Sequence, residues 1–278
     1  MKPMSHSQDD RAPLGFAVDL SERIAVVSGA NRGIGRSIAF ELANHRATVV
    51  CAARSLSDGI DLATEILAAG GTAMAAQLDV RDEDSIRAMT KLIAHEFGKA
   101  DILVNNAGMG HLEAVGDVTK ETWNDVVETN LAGPFFCSQH LIPLLRHGKA
   151  PTIINIGSVN GVVTMARLAA YCASKAALHH LTRQMALELG SMNIRVNCVV
   201  PGFVRTDLFE LSHSAERKLW IEALHALRRV GEPDEIARVV AFLASNAASF
   251  ITGAVILVDG GLTTQFGLDQ GPGVTGLG

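Results

Sequence analysis

Seven short apolar runs, separated by longer segments of helical period, constrain the fold of this chain more than any other feature. The first run is IAVVS at 24–28 and the last is AVILVDG at 254–260. Strands that are apolar on both sides need cover on both faces, as in a parallel sheet between two helical layers. With right-handed crossovers, the pattern predicts a single-domain α/β fold. Its doubly wound sheet has seven parallel strands in the order 3-2-1-4-5-6-7, with helices on both faces.

The alternation also predicts where each element lies. Strands are expected at 24–28, 47–53, 73–79, 101–107, 152–158, 194–200 and 254–260, and helices near 34–44, 58–69, 82–97, 119–147, 171–190, 212–227 and 233–246. The folded domain is predicted over 21–262, between a flexible N-terminal segment at 1–20 and a glycine-rich tail at 263–278. Ligands of such sheets bind beyond the carboxyl ends of the strands, so the residues after each strand are the candidates for function.

Composition argues against several kinds of partner. The chain has 278 residues, is 48% hydrophobic and carries a formal net charge of −5, so it has a large core but no basic surface for nucleic acid or anionic lipid. The first 20 residues lack an apolar signal region and no run approaches a membrane span, so we expect a cytoplasmic protein. The four cysteines form no CxxC pair and the ten histidines no HExxH motif, so buried thiols are expected and a metal site is not.

A glycine-rich turn follows the first predicted strand. In SGANRGIGRSIAFELA, Gly29, Gly33 and Gly35 lie on the turn into a helix, with the spacing G-x-x-x-G-x-G. Glycine permits a tight turn and a close approach of the backbone to a pyrophosphate, whose charge is attracted by the N–H groups and the dipole at the helix start. In the first βαβ unit, this turn predicts a dinucleotide site.

Further motifs follow in order between about residues 20 and 262. They are LDV at 78–80, NNAG at 105–108, TNLAGPFF at 129–136, NIGSVNG at 155–161, YCASK at 171–175 and NCVVPGFVRTD at 197–207. With SGANRGIG, they resemble the signatures of short-chain dehydrogenases/reductases, and within these the 3-oxoacyl-(acyl carrier protein) reductases and the sugar and secondary-alcohol dehydrogenases. One departure is Ser28, where the family usually has threonine; a serine hydroxyl can make the same structural hydrogen bond.

The resemblance implies a Rossmann-type fold and an NAD(P)(H)-dependent oxidoreductase, which transfers hydride reversibly between nicotinamide and a ketone or secondary alcohol. Asp79 is expected at the adenine, although an aspartate there could also cap the next helix. The backbone of Val204 and the hydroxyl of Thr206 are expected at the nicotinamide carboxamide. The full set expected at the cofactor is Gly29, Asn31, Arg32, Gly33, Ile34, Gly35, Arg54, Asp79, Val80, Asn106, Ala107, Gly108, Tyr171, Lys175, Pro201, Gly202, Val204 and Thr206.

The end of the second strand bears on the choice of cofactor. A ribose 2′-hydroxyl is commonly bound there by a carboxylate, and a 2′-phosphate by arginine. Here the strand ends in Ala53 and Arg54, without a carboxylate. Arg32, in the glycine turn, resembles the second basic residue of many NADP-dependent members. We therefore predict NADP(H), with NAD(H) the alternative if the two arginines are only solvated or Asp58 binds the ribose.

YCASK contains the only tyrosine of the chain. Lys175 follows Tyr171 by one helical turn, so its ammonium lies on the same face and can stabilise a phenolate, which ordinarily forms only near pH about 10. Ser158 lies at the carboxyl end of the fifth predicted strand, where its hydroxyl can hydrogen-bond a substrate carbonyl and its developing oxyanion. The resemblance adds Asn130, whose backbone region holds a water of a proton relay, and gives Lys175 a second contact with the nicotinamide ribose. In reduction, hydride attacks the carbonyl carbon while Tyr171 donates its proton to the oxygen.

Substrate selection in the family depends mainly on the segment after the sixth strand, here 207–231. Its apolar residues have a spacing that suits either a wall of the site or a helix packed on the domain. A moderately hydrophobic ketone or alcohol is favoured, and sugar or polyol dehydrogenation is the alternative. The residues expected at the substrate are Ser158 and Tyr171, with Asn160, Met165, Phe203, Leu208 and Trp220 as further candidates.

The family usually forms homotetramers through its two long helices and its final strand, so a homotetramer or a homodimer is expected. A carrier-protein partner would need basic residues at the entrance, for which Lys218, Arg228 and Arg229 are candidates. A non-catalytic NADP(H)-binding regulator would predict a damaged catalytic set, but all four positions are filled. Extended relatives that act as epimerases or dehydratases carry G-x-x-G-x-x-G and a larger C-terminal domain, and neither is seen.

Overall fold

The computed structural model describes residues 18–264. The predictions of a flexible segment at 1–20 and of a tail at 263–278 therefore fall, apart from residues 18–20 and 263–264, outside the described residues. All seven strands pair in parallel in one sheet, in the order β3-β2-β1-β4-β5-β6-β7, which confirms the predicted fold. The strands are β1 (Ile24–Ser28), β2 (Thr48–Ala53), β3 (Thr72–Gln77), β4 (Ile102–Asn105), β5 (Thr152–Ile156), β6 (Arg195–Pro201) and β7 (Val255–Val258).

Helices connect the strands and cover both faces of the sheet. They are α1 (Gly33–Asn44), α2 (Leu56–Ala68), α3 (Glu83–Phe97), α4 (Lys120–Val127), α5 (Gly133–Leu145), α6 (Ala169–Leu189), α7 (Asp207–Ser212), α8 (Ala215–Ala223) and α9 (Pro233–Ala244). No helix within residues 18–264 is both long and apolar enough to cross a bilayer.

Alternate residues of the strands face two separate core clusters. Val27 belongs to the cluster packed under α1, α2 and α9, whereas its neighbour Val26 belongs to the cluster packed under α3, α5 and α6. Complete burial of such a side chain contributes about 1.5–3 kcal/mol relative to exposure. The two-sided burial of the central strands explains why their sequences are apolar throughout.

The predicted continuous helix near 119–147 is wrong, because a π-helical turn at Glu128–Ala132 separates α4 from α5. Pro134 has no backbone N–H and cannot donate to the carbonyl of Asn130, four residues earlier. The Asn130 side chain in turn bonds the backbone of Met109 from both of its polar atoms. The break therefore places Asn130 against the loop that follows β4.

The predicted helical stretch near 212–227 corresponds to α8, and the short helix α7 that precedes it was not predicted. Each begins at a hydroxyl cap: Thr206 accepts from the N–H of Phe209, and Ser214 accepts from the N–H of Arg217. Serine and threonine favour a new helix start over the continuation of an old one. This pair of helices is called the α7–α8 segment below.

The expected buried thiols are found for three of the four cysteines. Burial raises the pKa values of Cys51, Cys137 and Cys198 to about 12, whereas Cys172, beside Tyr171, is only half-buried. Within the described residues no group of three or more His, Cys, Asp or Glu side chains is placed to hold a metal ion.

Candidate active site

The glycine turn between β1 and α1 requires glycine for conformation and for space. Gly29 and Gly33 have φ values of +62° and +53°, in the left-handed region that favours glycine. A Cβ on Gly35 would lie 2.2 Å from the carbonyl oxygen of Gly29. The turn therefore presents bare backbone at the start of α1, where a helix attracts anions.

Hydrogen bonds join this turn to the segment after β4. The Ser28 hydroxyl accepts from the N–H groups of Asn106 and Ala107, at 3.0 and 3.1 Å. In return, the Asn106 amide donates to the carbonyl oxygens of Ser28 and Gly29, both at 3.0 Å. Serine thus makes the structural hydrogen bonds expected of this position, and two segments predicted to bind the cofactor are fixed together.

The turn after β6 lies beside the same glycines. A Cβ on Gly33 would be 3.3 Å from Cγ2 of Thr206, the residue that caps α7. Next to the end of β6 at Pro201, Gly202 packs so tightly that its Cβ would lie 2.9 Å from Cα of Asp259. Val204 is buried. The predicted nicotinamide segment and the glycine turn are therefore adjacent.

The ends of β2 and β3 form the other side of this region. Asp79 pairs with Arg81 at 3.1 Å, and hydrogen bonds from Arg81, with the nearby charge of Arg54, hold the pKa of Asp79 below its ordinary value. Val80 is buried against Gly133. Asp79 is thus ionised and close to Arg54, but it is already engaged by Arg81.

Asp58 lies in the first turn of α2. Its carboxylate accepts from the Asn31 amide and from the Ser55 hydroxyl, each at 2.9 Å. Arg32 and Arg54 are exposed, and neither is in an ion pair within residues 18–264. Within the described residues, the Arg32 and Arg54 guanidinium groups therefore have no carboxylate partner, whereas the Asp58 carboxylate is already hydrogen-bonded.

Helix α6 carries Tyr171 and Lys175 on one face. The Lys175 ammonium is buried, donates to the carbonyl oxygen of Ile156 at 2.8 Å and lies 5.8 Å from the centroid of the Tyr171 ring. Burial lowers the pKa of Lys175 to about 8. Burial also raises the pKa of Tyr171, and a hydrogen bond with Ser158 opposes that rise.

Asn130 braces the loop after β4 against α6. Its side chain exchanges hydrogen bonds with the N–H and carbonyl of Met109, at 2.9 and 2.8 Å, and donates to the Ser174 hydroxyl at 3.1 Å. Ser174 donates in turn to the carbonyl of Tyr171 at 2.8 Å. The sequence motifs did not identify Ser174 and Met109 as partners of Asn130, although Ser174 lies within YCASK.

Two glycines of the β4 loop let the set close up. A Cβ on Gly108 would lie 3.3 Å from Asn130 Oδ1 and 3.5 Å from Lys175 Nζ, and one on Gly110 would lie 3.3 Å from the ring of Tyr171. The structure thus brings the predicted catalytic residues together around one loop. Gly110 was not singled out by the sequence, because nothing in its neighbourhood along the chain shows that an aromatic ring packs on it.

The residues expected at the substrate do not all come together as the predicted catalytic residues do. Asn160 and Met165 are half-buried, and the Ser158 hydroxyl accepts from the N–H of Asn160 at 3.2 Å. Phe203 packs inward on Phe209 and His225, with ring centroids 6.4 and 6.0 Å apart.

The two remaining substrate candidates lie on the surface of the α7–α8 segment. Leu208 is 74% exposed, and Trp220 is half-exposed and stacks on Arg217 at 4.0 Å. Both are surface side chains of the described structure, in contrast to the inward-facing Phe203.

In and around the α7–α8 segment are ion pairs that the sequence did not indicate. Arg205 contacts three carboxylates, those of Glu210, Glu222 and Glu232, at 2.9 to 3.2 Å. Of the basic candidates at the entrance, Lys218 pairs with Glu210. Arg229 makes two hydrogen bonds of 2.7 Å to Glu235, and Arg228 donates to the carbonyl of Ala223.

Comparison with known proteins shows the family to which the chain belongs. A family model described as enoyl-(acyl carrier protein) reductase matches residues 29–263. The 3-oxoacyl-[acyl-carrier-protein] reductase of Vibrio cholerae is 40% identical over 245 residues, which cover 88% of this chain and 99% of that protein. The chain belongs to the short-chain dehydrogenase/reductase family. As a member, it is an oxidoreductase that acts on C=O and CH–OH groups.

Other similar members differ in their substrates. The cis-4-hydroxycyclohexanecarboxylate dehydrogenase of Sinomonas cyclohexanicum is 38% identical over 87% of this chain and 97% of that protein. A gluconate 5-dehydrogenase from Burkholderia cenocepacia, solved in complex with NADP and tartrate, matches with a TM-score of 0.85 and 31% identity. That match covers 90% of this short-chain dehydrogenase/reductase and 98% of the other chain.

Proposed function

We propose that this enzyme is an NADP(H)-dependent reductase of ketones that also oxidises the corresponding secondary alcohols. The observation that carries the proposal is the buried Lys175 ammonium beside the single tyrosine, with the Ser158 hydroxyl close enough to the phenol to lower its pKa. A chain that only sensed the cofactor would have no need to bury an ammonium next to a phenol. Residues 21–262 are the proposed catalytic domain.

In this proposal each side chain has one task. The Ser158 hydroxyl donates to the substrate carbonyl and to the oxyanion that develops there. Tyr171 transfers its proton to that oxygen, and the Lys175 ammonium stabilises the phenolate that is left. Asn130 keeps the β4 loop against α6 through its side-chain hydrogen bonds to Met109 and Ser174. The bound nicotinamide supplies the hydride.

The residues of the site fit a dinucleotide. Bare backbone at Gly29, Gly33 and Gly35 leaves the space that side chains would fill, and α1 begins there with unpaired N–H groups. Arg32 and Arg54 supply free positive charge near the end of β2, and this supports a preference for the 2′-phosphate of NADP(H) over the hydroxyl of NAD(H).

For the substrate class, we propose 3-oxoacyl thioesters and related β-ketoesters, as suggested by the Vibrio cholerae relative. A carrier-protein partner would have to compete with Glu210 and Glu235 for Lys218 and Arg229, so a thioester free of a carrier is the form that this surface favours. The second candidate is a ring or sugar hydroxy acid. The relatives acting on hydroxycyclohexanecarboxylate and gluconate support it.

We further propose a homotetramer in the cytoplasm. The outer faces of α5 and α6 border an apolar groove of about 550 Å³, lined in part by Leu131, Phe135, Phe136 and Leu181. Phe135 and Phe136 are each 38% exposed, and Leu257 of the edge strand β7 is 43% exposed. Exposed apolar surface such as that of the groove typically marks an interface.

The test is oxidation of NADPH and NADH, followed by absorbance, with ethyl acetoacetate, acetoacetyl-CoA, 4-oxocyclohexanecarboxylate and 5-ketogluconate as substrates. Turnover of one carbonyl class by the wild type, lost in Tyr171→Phe, supports the reductase and names its substrate class. Cofactor binding without turnover of any substrate, in either direction, would contradict it.

A further inference from the structure

His179 is a buried histidine that the proposed mechanism does not use. It lies in α6 one helical turn beyond Lys175 and is 5% exposed. Its Nε2 atom is buried without a hydrogen-bond partner in the described part of the chain. Such an unpaired polar atom costs about 1–3 kcal/mol, so core filling alone would favour an apolar residue here.

The imidazole occupies space that two glycines leave open. A Cβ on Gly157 would lie 2.5 Å from His179 Nε2, and a Cβ on Gly161 would lie 2.5 Å from His179 Cε1. Gly157 immediately precedes Ser158, and Gly161 ends the 3₁₀ turn at Val159–Gly161 that follows it. The backbone on both sides of Ser158 therefore rests on the ring.

The same helix carries the other half of the catalytic set. Because α6 is continuous from Ala169 to Leu189, the His179 ring has a fixed position relative to Tyr171 and Lys175. A side chain at position 179 that is smaller or larger than imidazole would move the turn of Ser158 toward or away from the Tyr171 phenol.

Burial keeps the ring of His179 neutral, and the neighbouring cations add to this effect. Lys175 and Arg183 lie on its own helix, and the Cys198 thiol faces it from β6. Burial, reinforced by the two cations, lowers the pKa of His179 to about 4. At neutral pH the ring therefore adds no further positive charge next to the Lys175 ammonium.

We propose that His179 is a positioning residue, whose neutral ring between Gly157 and Gly161 sets the separation of the Ser158 hydroxyl from Tyr171 and Lys175. The inference rests on the proposed function, because it concerns the same catalytic set. It is nevertheless testable without turnover, since Tyr171 is the only tyrosine of the chain.

The measurement is the pKa of Tyr171 in the cofactor-free protein, from tyrosinate absorbance and from the ¹³C resonance of the phenol Cζ. The hydrogen bond with Ser158 holds this pKa below the value that burial alone would give. His179→Ala and Gly157→Ala should each displace Ser158 and raise the pKa. In the double variant the new methyl fits the space of the lost ring, so the pKa should return toward that of the wild type.

Gly161→Ala is the matched control. Its Cβ would also meet backbone atoms, the carbonyl carbon of Lys175 at 2.8 Å and the nitrogen of Ala176 at 2.9 Å. Removal of His179 cannot relieve those contacts, so no rescue is expected in the pair with Gly161→Ala. By contrast, after removal of His179 the only close contact left to the Gly157 Cβ among its three nearest atoms is Cys198 Sγ at 2.8 Å, the end of a short side chain that can shift where backbone atoms cannot.

Activity gives a second readout. With NADPH and ethyl acetoacetate, His179→Ala should lower kcat on the order of tenfold, because small displacements of catalytic groups are costly, while the NADPH dissociation constant changes less than about twofold. His179→Leu keeps most of the volume and should retain most of the wild-type kcat.

Two outcomes would overturn the positioning role. One is a Tyr171 pKa that is unchanged in folded Gly157→Ala. The other is an additive double variant, with no return toward the wild-type pKa. If His179→Ala does not fold, Gly157→Ala and His179→Leu still decide the question. If the wild type turns over no substrate, the proposed function fails but the tyrosine titration remains valid.

Discussion

Lys175 holds its ammonium nitrogen 5.8 Å from the centroid of the Tyr171 ring. Burial lowers the pKa of the lysine to about 8 and raises that of the tyrosine, so the free protein at pH 7 has a charged ammonium beside a neutral phenol. Once the phenol has donated its proton, the two charges attract. At an effective dielectric constant of about 20, unit charges about 4–6 Å apart interact by about 3–4 kcal/mol.

Tyr171→Phe is therefore expected to lower kcat by about 10²- to 10⁴-fold, because it removes the proton donor and leaves the rest of the site intact. Affinity for NADPH, measured by fluorescence titration, should change little. The conclusion would fail if the folded variant kept most of its turnover with ethyl acetoacetate.

Lys175→Met tests whether the buried ammonium is a cost to the fold. The folded pKa of about 8 lies below the ordinary lysine value of 10.5, so the unfolded chain binds the proton more tightly between these pH values. Wild-type stability should therefore rise with pH across that window. The variant should be more stable than the wild type at pH 7 by up to about 3 kcal/mol, less the lost hydrogen bond to Ile156.

That advantage should shrink as the pH rises from about 8 toward 10.5. Urea unfolding of both cofactor-free proteins at several pH values measures it, and effects common to the two proteins cancel. A variant that is less stable than the wild type at pH 7, with a gap independent of pH, would show that the ammonium carries no such penalty.

Gly35→Ala should abolish dinucleotide binding or prevent folding, since its Cβ would lie 2.2 Å from a backbone oxygen that cannot move aside. Gly190→Ala is the matched control: a Cβ there meets nothing within 4 Å, and Gly190 has φ −56°. The control should be as stable as the wild type or more so. Thermal unfolding with and without NADPH separates the two variants. If NADPH stabilised Gly35→Ala as much as the wild type, the predicted clash at Gly35 would be wrong.

Much of this architecture was visible in the sequence, because it depends on local pattern. Each strand is an apolar run, and the glycine turn and YCASK lie where their chemistry needs them. Pro134 was a local sign of the break at the π-helical turn that the sequence analysis did not use, whereas the contact of Asn130 with Met109 is tertiary and was not visible. The ion pairs of Arg205 were hidden for the same reason, since its three carboxylates come from separate elements.

Cofactor choice is testable at Arg54. Arg54→Ala should lower kcat/KM for NADPH on the order of tenfold or more and leave that for NADH nearly unchanged, because only the 2′-phosphate needs the charge. Arg36→Ala is the control, since Arg36 is on the neighbouring α1 but already pairs with Glu65. Equal losses with both cofactors would place Arg54 in a general structural role, and a wild type that prefers NADH would contradict the NADP(H) proposal.

The size of the protein particle in solution tests whether the groove beside α5 and α6 is a subunit interface. Phe136 is 38% exposed and lines the groove. Phe136→Glu replaces its ring with a carboxylate, so burial of this face in a tetramer would become unfavourable. Sedimentation velocity should then show smaller species for the variant than for the wild type. Val115→Glu, on a loop side chain that is 78% exposed, is the control and should assemble normally. A wild type that sediments as a monomer would refute the proposed tetramer, and an unchanged assembly of Phe136→Glu would place the interface elsewhere.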